Sequence, residues 1–479
     1  MKSFLFYDIE TSGLNPAFDQ VLTFACIRTD LSLTELSREV ITVQLRPDIV
    51  PSPGAFLTHG LTPEELETGI VEYQAALKIH KLFNTPESIS IGYNSLGFDD
   101  EFLRFLFYRN LLDPYSHQFA HGCSRMDMLP VAAVYYLFCS QALSWPVLEG
   151  GKPSLKLEHL SRENKFVVSG KAHEAMADVE ALLSLSRKFA AQKEIWEYVL
   201  GFFDKRKDVK RIAGLKNAVY VENNRFELGL MVSVSFGAKM NYIAPVIHIG
   251  GSIPYKNQTL WIRLDQEGLL DGTDEDHGIY DLFVIRKRPG DQVFVLPCLD
   301  RFMEKLTPGA RSASKKNLSL IKGDSELFIK TASYHKSFRY PEIPDIDPDA
   351  GLYEKGFFSP GEKQEIARFH QSDEKNRKKV CGTFKSARGT TLAQRILARN
   401  FNHTLSPPHE FSSHMARLSG EGDHQVKGYK NDVKFTCAHG LAEIEQIEAK
   451  EGLDPASQKM LAWLKRHIVE LSASFAEPF

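Results

Sequence analysis

The sequence predicts an α/β protein with a β-rich middle part and a helical last part, and three features predict this class. The chain opens with a stretch from Ser3 to Gly13 that has the pattern of an apolar strand ending in acids, followed by a turn of small residues. From Ala218 to about Ile329, short alternating runs are separated by Gly, Asn and Asp turns, which favours a small β-barrel with inserted helices. From Leu352 on, helical patterns replace strand alternation. A chain of 479 residues exceeds one ordinary core, so we expect two or three domains.

Composition excludes a membrane protein and a disulfide scaffold. Hydrophobic residues make up 43% of the chain and charged residues 25%, and no uncharged apolar run approaches membrane-spanning length. Met1 and Lys2 run directly into the acidic strand, unlike a secretory signal, so we expect a cytoplasmic protein without membrane contact. The six cysteines lack a C-x-x-C pair, which indicates reduced packing residues: Cys26, Cys123, Cys139, Cys298, Cys381 and Cys437.

The net charge of −3 hides an asymmetry along the chain. Residues 1–200 contain 17 Lys and Arg against 25 Asp and Glu, a net of −8, whereas the rest contains 41 against 36, a net of +5. An acidic lobe beside basic lobes suits a polyanionic substrate that is cut at a metal and held elsewhere.

The first strand carries two acids, Asp8 and Glu10, one residue apart. Side chains alternate across a strand, so both project from the same face, where they repel unless a cation lies between them. Thr11 and the small residues after it form a turn at which a backbone can approach a phosphate closely. The alternative for a lone D-x-E pattern is a solvated strand end.

The elements that follow have recognisable boundaries. Apolar alternation predicts strands at 20–28 and 39–45, and Thr62 followed by Pro63 and two acids predicts a helix start. Asp127 is expected to cap the helix that contains Val131 and Phe138. Later helices are predicted over 362–370, 392–400 and 456–471, after a Pro-rich, acidic linker around 341–348.

A second acidic stretch lies at the end of the strand that precedes Asn94. The spacing from Asn94 to Asp99 would let Asp99 face the same cleft as the first two acids, with Arg104 as a cation on the helix that starts there. Simple capping of the helix by Asp99 and Asp100 is the alternative. In the loop that follows, Tyr115 and Phe119 are expected either to stack bases or to pack the loop onto the helix.

A third pair, His173 and Asp178, lies at the start of a helix that continues through Val179 and Leu182. Because a helix advances about 100° per residue, the pair sits on neighbouring faces. His173 can therefore overhang the cleft that Asp178 lines, although an ordinary surface helix also explains the pattern.

Together these motifs resemble the DEDDh exonuclease superfamily, in the right order and in the expected strand and helix contexts. The likeness extends to the bacterial exonuclease I family, although it is patchy from about 265 to 340. It rests on D-I-E at Asp8 to Glu10, N-S-L-G-F-D ending at Asp99, H-E-A-M-A-D from His173 to Asp178, and further segments at 98–101, 108–110, 113–115, 157–160, 356–358 and 398–401. Ile9 and Lys156 depart from the family, which has Tyr and Arg at these positions.

The resemblance implies three domains. A ribonuclease-H-like nuclease domain with a mixed sheet is expected over 1–199, a Src-homology-3-like β-barrel over 200–347 and an all-α domain over 348–479. The barrel and the helical domain would arch over the active site.

The implied activity is metal-dependent, processive 3′→5′ hydrolysis of single-stranded DNA to 5′-mononucleotides, in DNA repair and recombination. The expected ligands of two Mg²⁺ ions, with Mn²⁺ as a substitute, are Asp8, Glu10, Asp99 and Asp178, with His173 as the general base. Expected substrate contacts are Glu10, Thr11, Asn94, Arg104, Tyr115, Phe119 and Lys156, the last as a phosphate holder.

The resemblance also implies a partner, the acidic, Phe-ending C-terminal tail of single-stranded DNA-binding protein, and we expect a monomer. A basic rim for such a tail is offered by Lys205 to Arg211, by 286–288 or by Lys315 and Lys316, and sequence does not choose among them or between tail and DNA. Two other functions predict different sequences. An RNA-directed relative would be a short single-domain chain, and a nuclease fold without activity would have lost its acids.

Overall fold

The computed structural model describes most of the chain. The described residues are 2–166, 174–266, 269, 273–274, 279–280, 284–354, 356–401, 409–419, 425–450 and 452–476. Among these residues, no helix combines the length and the apolar character needed to cross a bilayer.

The first part of the chain is built on a mixed five-stranded sheet with the strand order β3-β2-β1-β4-β5. The strands β1, β2 and β3 pair antiparallel, whereas β1 pairs parallel with β4, and β4 pairs parallel with β5. The mixed sheet predicted for this part is therefore confirmed. The strands are β1 (Ser3–Thr11), β2 (Val21–Thr29), β3 (Glu35–Thr42), β4 (Ser88–Gly92) and β5 (Ser124–Asp127), followed by a short hairpin of β6 (Val147–Leu148) and β7 (Lys152–Pro153).

Helices cover both faces of this sheet. Phe4 and Phe6 of β1 lie in one buried cluster, and Leu5 and Tyr7 lie in another on the opposite face, as the alternation of a strand requires. The capping box at Thr62 confirms the predicted helix start. The helices of this part are α1 (Pro53–His59), α2 (Pro63–Glu67), α3 (Glu72–Phe83), α4 (Asp99–Arg109), α5 (Met128–Phe138), α6 (Leu157–Glu163), α7 (Ala175–Ala190), α8 (Lys193–Phe203) and α9 (Lys205–Ala213).

The middle part contains a second, antiparallel sheet with the order β14-β11-β10-β9-β15, and β8 pairs with β9. The pairings described run along an open path, so the Src-homology-3-like barrel stays a prediction. The strands are β8 (Ala218–Val221), β9 (Asn224–Val232), β10 (Ile243–Gly251), β11 (Thr259–Arg263), β12 (Thr273–Asp274), β13 (Ile279–Tyr280), β14 (Val284–Lys287) and β15 (Phe294–Leu296).

The strands predicted to about Ile329 end at Leu296, so their extent is wrong, whereas the helices expected to be inserted in this part are present as three helices after the last strand. Thr307 and Asp324 accept hydrogen bonds from backbone N–H groups in the first turns of two of them, which is how a helix satisfies its unpaired donors. Their apolar residues Ile321 and Phe328 pack into the core of the second sheet. The helices are α10 (Asp300–Met303), α11 (Pro308–Gly323) and α12 (Ser325–Ser337).

The last part is helical as predicted, and each of the three helices expected from the sequence lies inside an observed one. The helices are α13 (Pro360–Gln371), α14 (Glu374–Cys381), α15 (Ala387–Asn400), α16 (His409–Ala416), α17 (Cys437–Glu448) and α18 (Pro455–Ala476). One buried cluster contains Phe56 and Phe105 of the first part together with Phe369 and Ile396 of the last part. The last part therefore shares a core with the first.

Candidate active site

Two carboxylates project from the end of β1. Asp8 and Glu10 are half-buried and pair in register with Ala25 and Thr23 of β2. They point to the same face as Phe6, because residues two apart on a strand share a side. That face is the one against which α7 packs, as shown by Val179 in the same buried cluster as Phe6.

Helix α7 brings the third acid to this face. Val179, Leu182 and Leu183 are buried, and they anchor the first turns of α7 on the sheet. Asp178 in the first turn is thereby held above the strand end. Carboxylate oxygens of Asp8, Glu10 and Asp178 lie within 4.8 Å of one another.

The fourth acid, Asp99, is the first residue of α4 and is buried. The loop before it turns sharply at Gly92, where a Cβ would lie 2.3 Å from that of Ser95, and at Asn94, whose φ of 60° is left-handed. The charge of Asp99 acts on both Asp8 and Glu10.

Asp127 holds this loop in place. Its fully buried carboxylate accepts hydrogen bonds from the backbone N–H groups of Asn94 (2.9 Å), Leu96 (3.1 Å) and Leu129 (2.9 Å). The side chain of Gln292, from the middle part, donates a fourth at 2.8 Å. The sequence predicted Asp127 only as a cap of α5, which is confirmed, and gave no sign of the other three bonds.

Burial and mutual repulsion make these acids hard to ionise in the absence of a cation. Desolvation, followed by the charges of Asp178 and Asp99, raises the pKa of Glu10 to about 8. Desolvation, with a smaller effect of neighbouring acids, raises the pKa of Asp99 to about 7. The pKa of Asp8 is raised for the same reasons. Such a set of oxygen donors fits a hard divalent cation, which would replace repulsion by attraction.

Asp100 behaves in the opposite way, although it adjoins Asp99. Burial alone would raise its pKa, but Arg125 and Arg104 hold the pKa well below its usual range. The Arg104 guanidinium lies 2.7 Å from Asp100, and His117 lies 3.2 Å from it. Asp100 therefore fixes the start of α4 rather than facing the cleft.

The predicted substrate residues lie in different environments. Arg104 is buried and bound to acids, so the described contacts give it a structural role, and its DNA contact stays a prediction. Thr11 is buried, and its hydroxyl donates to the carbonyl of Gly13. Lys156, at the start of α6, and Asn94 are exposed.

Of the two loop aromatics, Phe119 is 63% exposed and Tyr115 is half-buried, 5.5 Å from the ring of Phe357. The sequence indicates Phe357 only as part of the segment 356–358 that resembles the family, with no role of its own. His173 lies outside the described residues, and the next residue in the sequence, Glu174, occupies the N-cap position of α7 without a side-chain capping bond.

The basic clusters are less uniform than the sequence indicated. Lys287 is buried, and its ammonium lies 2.6 Å from Asp208. Arg211 lies over the rings of Tyr198 (4.3 Å) and Phe202 (4.2 Å). Each cluster also has exposed cations, which are Lys205, Arg206, Lys207, Lys210, Arg288, Lys315 and Lys316.

The mixed sheet with four converging carboxylates defines a nuclease domain of the divalent-metal-dependent exonuclease class. A family model described as Exonuclease matches residues 5–185, and one described as Exonuclease I C-terminal domain matches residues 346–471. Exodeoxyribonuclease I of Escherichia coli K12 is 30% identical over 84% of this chain and 86% of its own length. The chain belongs to the exodeoxyribonuclease I family.

Solved structures of exonuclease I are similar in fold to this protein over nearly the whole chain. The zinc-bound form of the E. coli exonuclease I complex with single-stranded DNA is 26% identical, with a TM-score of 0.82 over 98% of this chain and 99% of that one. A structure of SSB/exonuclease I in complex with the inhibitor CFAM is 26% identical, with a TM-score of 0.79 over 98% of this chain and 100% of that one.

Proposed function

We propose that this protein hydrolyses single-stranded DNA processively from the 3′ end and releases 5′-mononucleotides in DNA repair and recombination. The observation that carries the proposal is the convergence of Asp8, Glu10 and Asp178 within 4.8 Å, beside Asp99. Membership in the exodeoxyribonuclease I family supports the substrate, because a relative of the same fold is solved with single-stranded DNA.

Asp8, Glu10, Asp99 and Asp178 would hold two Mg²⁺ ions, or Mn²⁺ in their place. When bound there, the ions would supply charge neutralisation for the attacked phosphate and stabilisation of the leaving 3′-oxygen. His173 takes the proton from the attacking water, a role to which an imidazole is suited because it exchanges protons in the physiological pH range.

Residues around the cleft hold the strand in this proposal. Lys156 is exposed and can hold a phosphate, while Thr11 is the last residue of β1 and Asn94 lies in the turn that follows β4. Tyr115 and Phe119 stack bases, and Arg104 supports the cleft from its buried position. We also propose the three-domain division at 199 and 347 and a monomeric state.

End-labelled substrates test this function directly. The protein with Mg²⁺ is expected to shorten single-stranded DNA labelled at its 5′ end stepwise, to release the label at once from a 3′-labelled strand, and to spare RNA and duplex. Asp178→Asn should lose this activity, whereas Glu445→Gln, an exposed acid on α17, should keep it. Equal digestion of RNA, or digestion from the 5′ end, would refute the proposal.

The partner is the acidic, Phe-ending tail of single-stranded DNA-binding protein, a proposal supported by the related SSB/exonuclease I structure. Because the attraction is ionic, binding of a labelled tail peptide should weaken as salt rises. A peptide without its terminal Phe should bind more weakly, and equal binding of both peptides would refute the partner. Lys207→Ala, Arg288→Ala and Lys315→Ala then locate the basic rim among the three clusters, since all three side chains are exposed.

A further inference from the structure

The loop that follows the acids of β1 lies beyond the regular pairing of the sheet. The register between β1 and β2 shifts between Glu10 and Thr11, which is the last residue of the strand. Residues 12–19, the 12–19 loop, then lead the chain towards β2. The position of Glu10 at the strand end therefore depends on the contacts that hold this loop.

Two buried side chains hold the 12–19 loop from within the first part of the chain. The carboxylate of Asp19 accepts a hydrogen bond from the backbone N–H of Asn15 at 2.8 Å. The Arg109 guanidinium donates to three carbonyls of the loop at 2.9 to 3.1 Å. Because Arg109 is the last residue of α4, it joins the loop to the helix that begins at Asp99.

A third contact reaches the 12–19 loop from the helical last part. The side-chain amide of Asn15 donates to the carboxylate of Asp432 at 2.6 Å, although the two residues are 417 positions apart. The amide oxygen of Asn15 accepts from the backbone N–H of Ala17 at 3.1 Å, so both ends of the amide are engaged. A hydrogen bond to a carboxylate is stronger than one between neutral groups. Asp432 therefore fixes the orientation of the Asn15 side chain.

Asp432 belongs to a small hairpin of the last part, residues 426–434, whose two arms pair antiparallel. The backbone N–H of Lys430 donates to Asp432 at 3.2 Å and so orients its carboxylate. At the end of the hairpin, the buried ammonium of Lys434 lies 3.3 Å from Asp48 of the first part. The hairpin is thus anchored on the first part independently of Asn15.

The 426–434 hairpin also contacts α4. The ring of Tyr429 lies 5.1 Å from that of Phe105 on this helix. The hairpin therefore contacts both the loop after Glu10 and the helix that begins at Asp99. A tether that only joins the two parts would not need to lie at these two segments, because the shared core of Phe56, Phe369 and other residues already joins them.

We propose that Asp432 is a positioning residue for hydrolysis, which acts through Asn15 on the 12–19 loop and thereby on the strand end that presents Glu10 to the cleft. The proposal deepens the proposed function and rests on it. It makes the helical last part a component of the active-site geometry. Since a displacement of about 1 Å at a catalytic group can cost about 100-fold in rate, a single hydrogen bond at this place is sufficient to affect kcat.

Exchanging the two partners tests this role, with kcat and KM measured on single-stranded DNA at saturating Mg²⁺. Asn15→Asp alone sets two carboxylates against each other and should lower kcat about 100-fold. Adding Asp432→Asn places the carboxylate on the loop and the amide on the hairpin at an unchanged net charge, and should restore most of the rate. KM should change little in both variants, because neither side chain is expected to hold the strand.

Asp432→Ala removes the bond without adding repulsion and should lower kcat about 10-fold, the value expected for one lost hydrogen bond to a charged group. It replaces Asn15→Asp in the comparison if thermal unfolding shows that Asn15→Asp does not fold. Asn400→Ala is the matched control, because it removes another bond between the two parts, from the backbone N–H of Tyr73 at 2.9 Å. It should lower Tm and leave kcat of the folded protein unchanged.

The outcomes separate positioning from tethering and from the function itself. A normal kcat in Asn15→Asp or Asp432→Ala with a lowered Tm, as in Asn400→Ala, would overturn the proposal and leave Asp432 as a tether. An exchange variant as slow as Asn15→Asp would also overturn it. Failure of the unchanged protein to cut single-stranded DNA would instead overturn the proposed function.

Discussion

Two clusters of potential metal ligands, one half-buried and one buried, lie in this protein and differ in the charges that surround them. Asp8, Glu10 and Asp178 form one, and Asp48, Asp349 and His414 form the other, each with its ligand atoms within 4.8 Å. The main charges that act on the first cluster are other carboxylates, and the pKa values of Asp8 and Glu10 are raised. The second cluster is neutralised by basic side chains.

In the second cluster, burial alone would raise the pKa of Asp48, but Arg399, Arg46 and Lys434 hold it well below the usual range. The Arg399 guanidinium lies 2.7 Å from Asp48 and 2.5 Å from Asp349. Three potential ligands in a group therefore indicate a metal site only where basic side chains have not already taken the place of the metal. The second cluster instead joins the first part of the chain to the last.

The strongest test of this contrast removes a ligand from the first cluster. Asp8→Ala or Asp178→Ala should abolish hydrolysis at saturating Mg²⁺, because the remaining carboxylates cannot hold the ions that the reaction needs. Binding of single-stranded DNA without metal should persist, since the strand is held mainly elsewhere. Either variant retaining more than a few per cent of turnover would argue against these residues as ligands.

His173 should contribute less than a metal ligand does. His173→Ala is expected to slow the chemical step about 10²–10⁴-fold, the usual range for a lost general base, while KM changes less. Single-turnover rates measured with excess enzyme report this step alone. An unchanged rate would leave His173 as a polar residue at a helix entrance.

Whether the residues of a site can be predicted from the sequence depends on how far apart they lie along the chain. Asp8 and Glu10 share a face because of strand alternation, and Asp178 follows from a helical pattern, so local periodicity was sufficient for both. The second cluster was not foreseen, because Arg399 lies 351 residues from Asp48 and no periodicity connects them. Gln292 was missed for the same reason, 165 residues from Asp127.

The same limit explains the errors about charge and the middle part. The run from Arg286 to Arg288 looked like one cationic patch, but Lys287 is buried on Asp208, a partner 79 residues earlier. Apolar residues such as Ile321 and Phe328 suit strands and helices equally well over short runs, and caps at Thr307 and Asp324 decided for helices.

Removing a cation from the second cluster should make it resemble the first. Arg399→Met leaves Asp48 and Asp349 with less compensation, and breaking a buried ion pair in this way typically costs about 3–5 kcal/mol of unfolding free energy. Denaturant unfolding measures the loss, with Arg466→Met on the exposed side of α18 as the control. A loss below about 1 kcal/mol would mean that water screens the carboxylates that Arg399 no longer neutralises.

The loop before Asp99 provides a graded test of positioning. Asp127→Asn replaces a carboxylate oxygen by an amide NH₂ group, which faces backbone N–H donors that it cannot pair. Each buried donor left unpaired costs about 1–3 kcal/mol, so we expect the loop before Asp99 to shift. The displaced Asp99 should then reduce kcat about 10-fold. Gln292→Ala removes one of the four bonds and should have a smaller effect. If both variants turn over at the normal rate, Asp127 only caps α5.

The smallest expected effect is the dependence of metal stabilisation on pH. In the folded protein without metal, the pKa of Glu10 is raised from 4.5 to about 8, so between these values the folded state binds more protons than the unfolded state. Stability therefore falls as pH rises through this window. Mg²⁺ binds the ionised acids and cancels the loss, so the rise in Tm on adding Mg²⁺ should be about twice as large at pH 8 as at pH 5.5. Asp178→Asn should remove most of this difference in the Tm rise, whereas Glu445→Gln should keep it. A Tm rise that is independent of pH would show that the ion binds away from the carboxylates whose pKa values are raised.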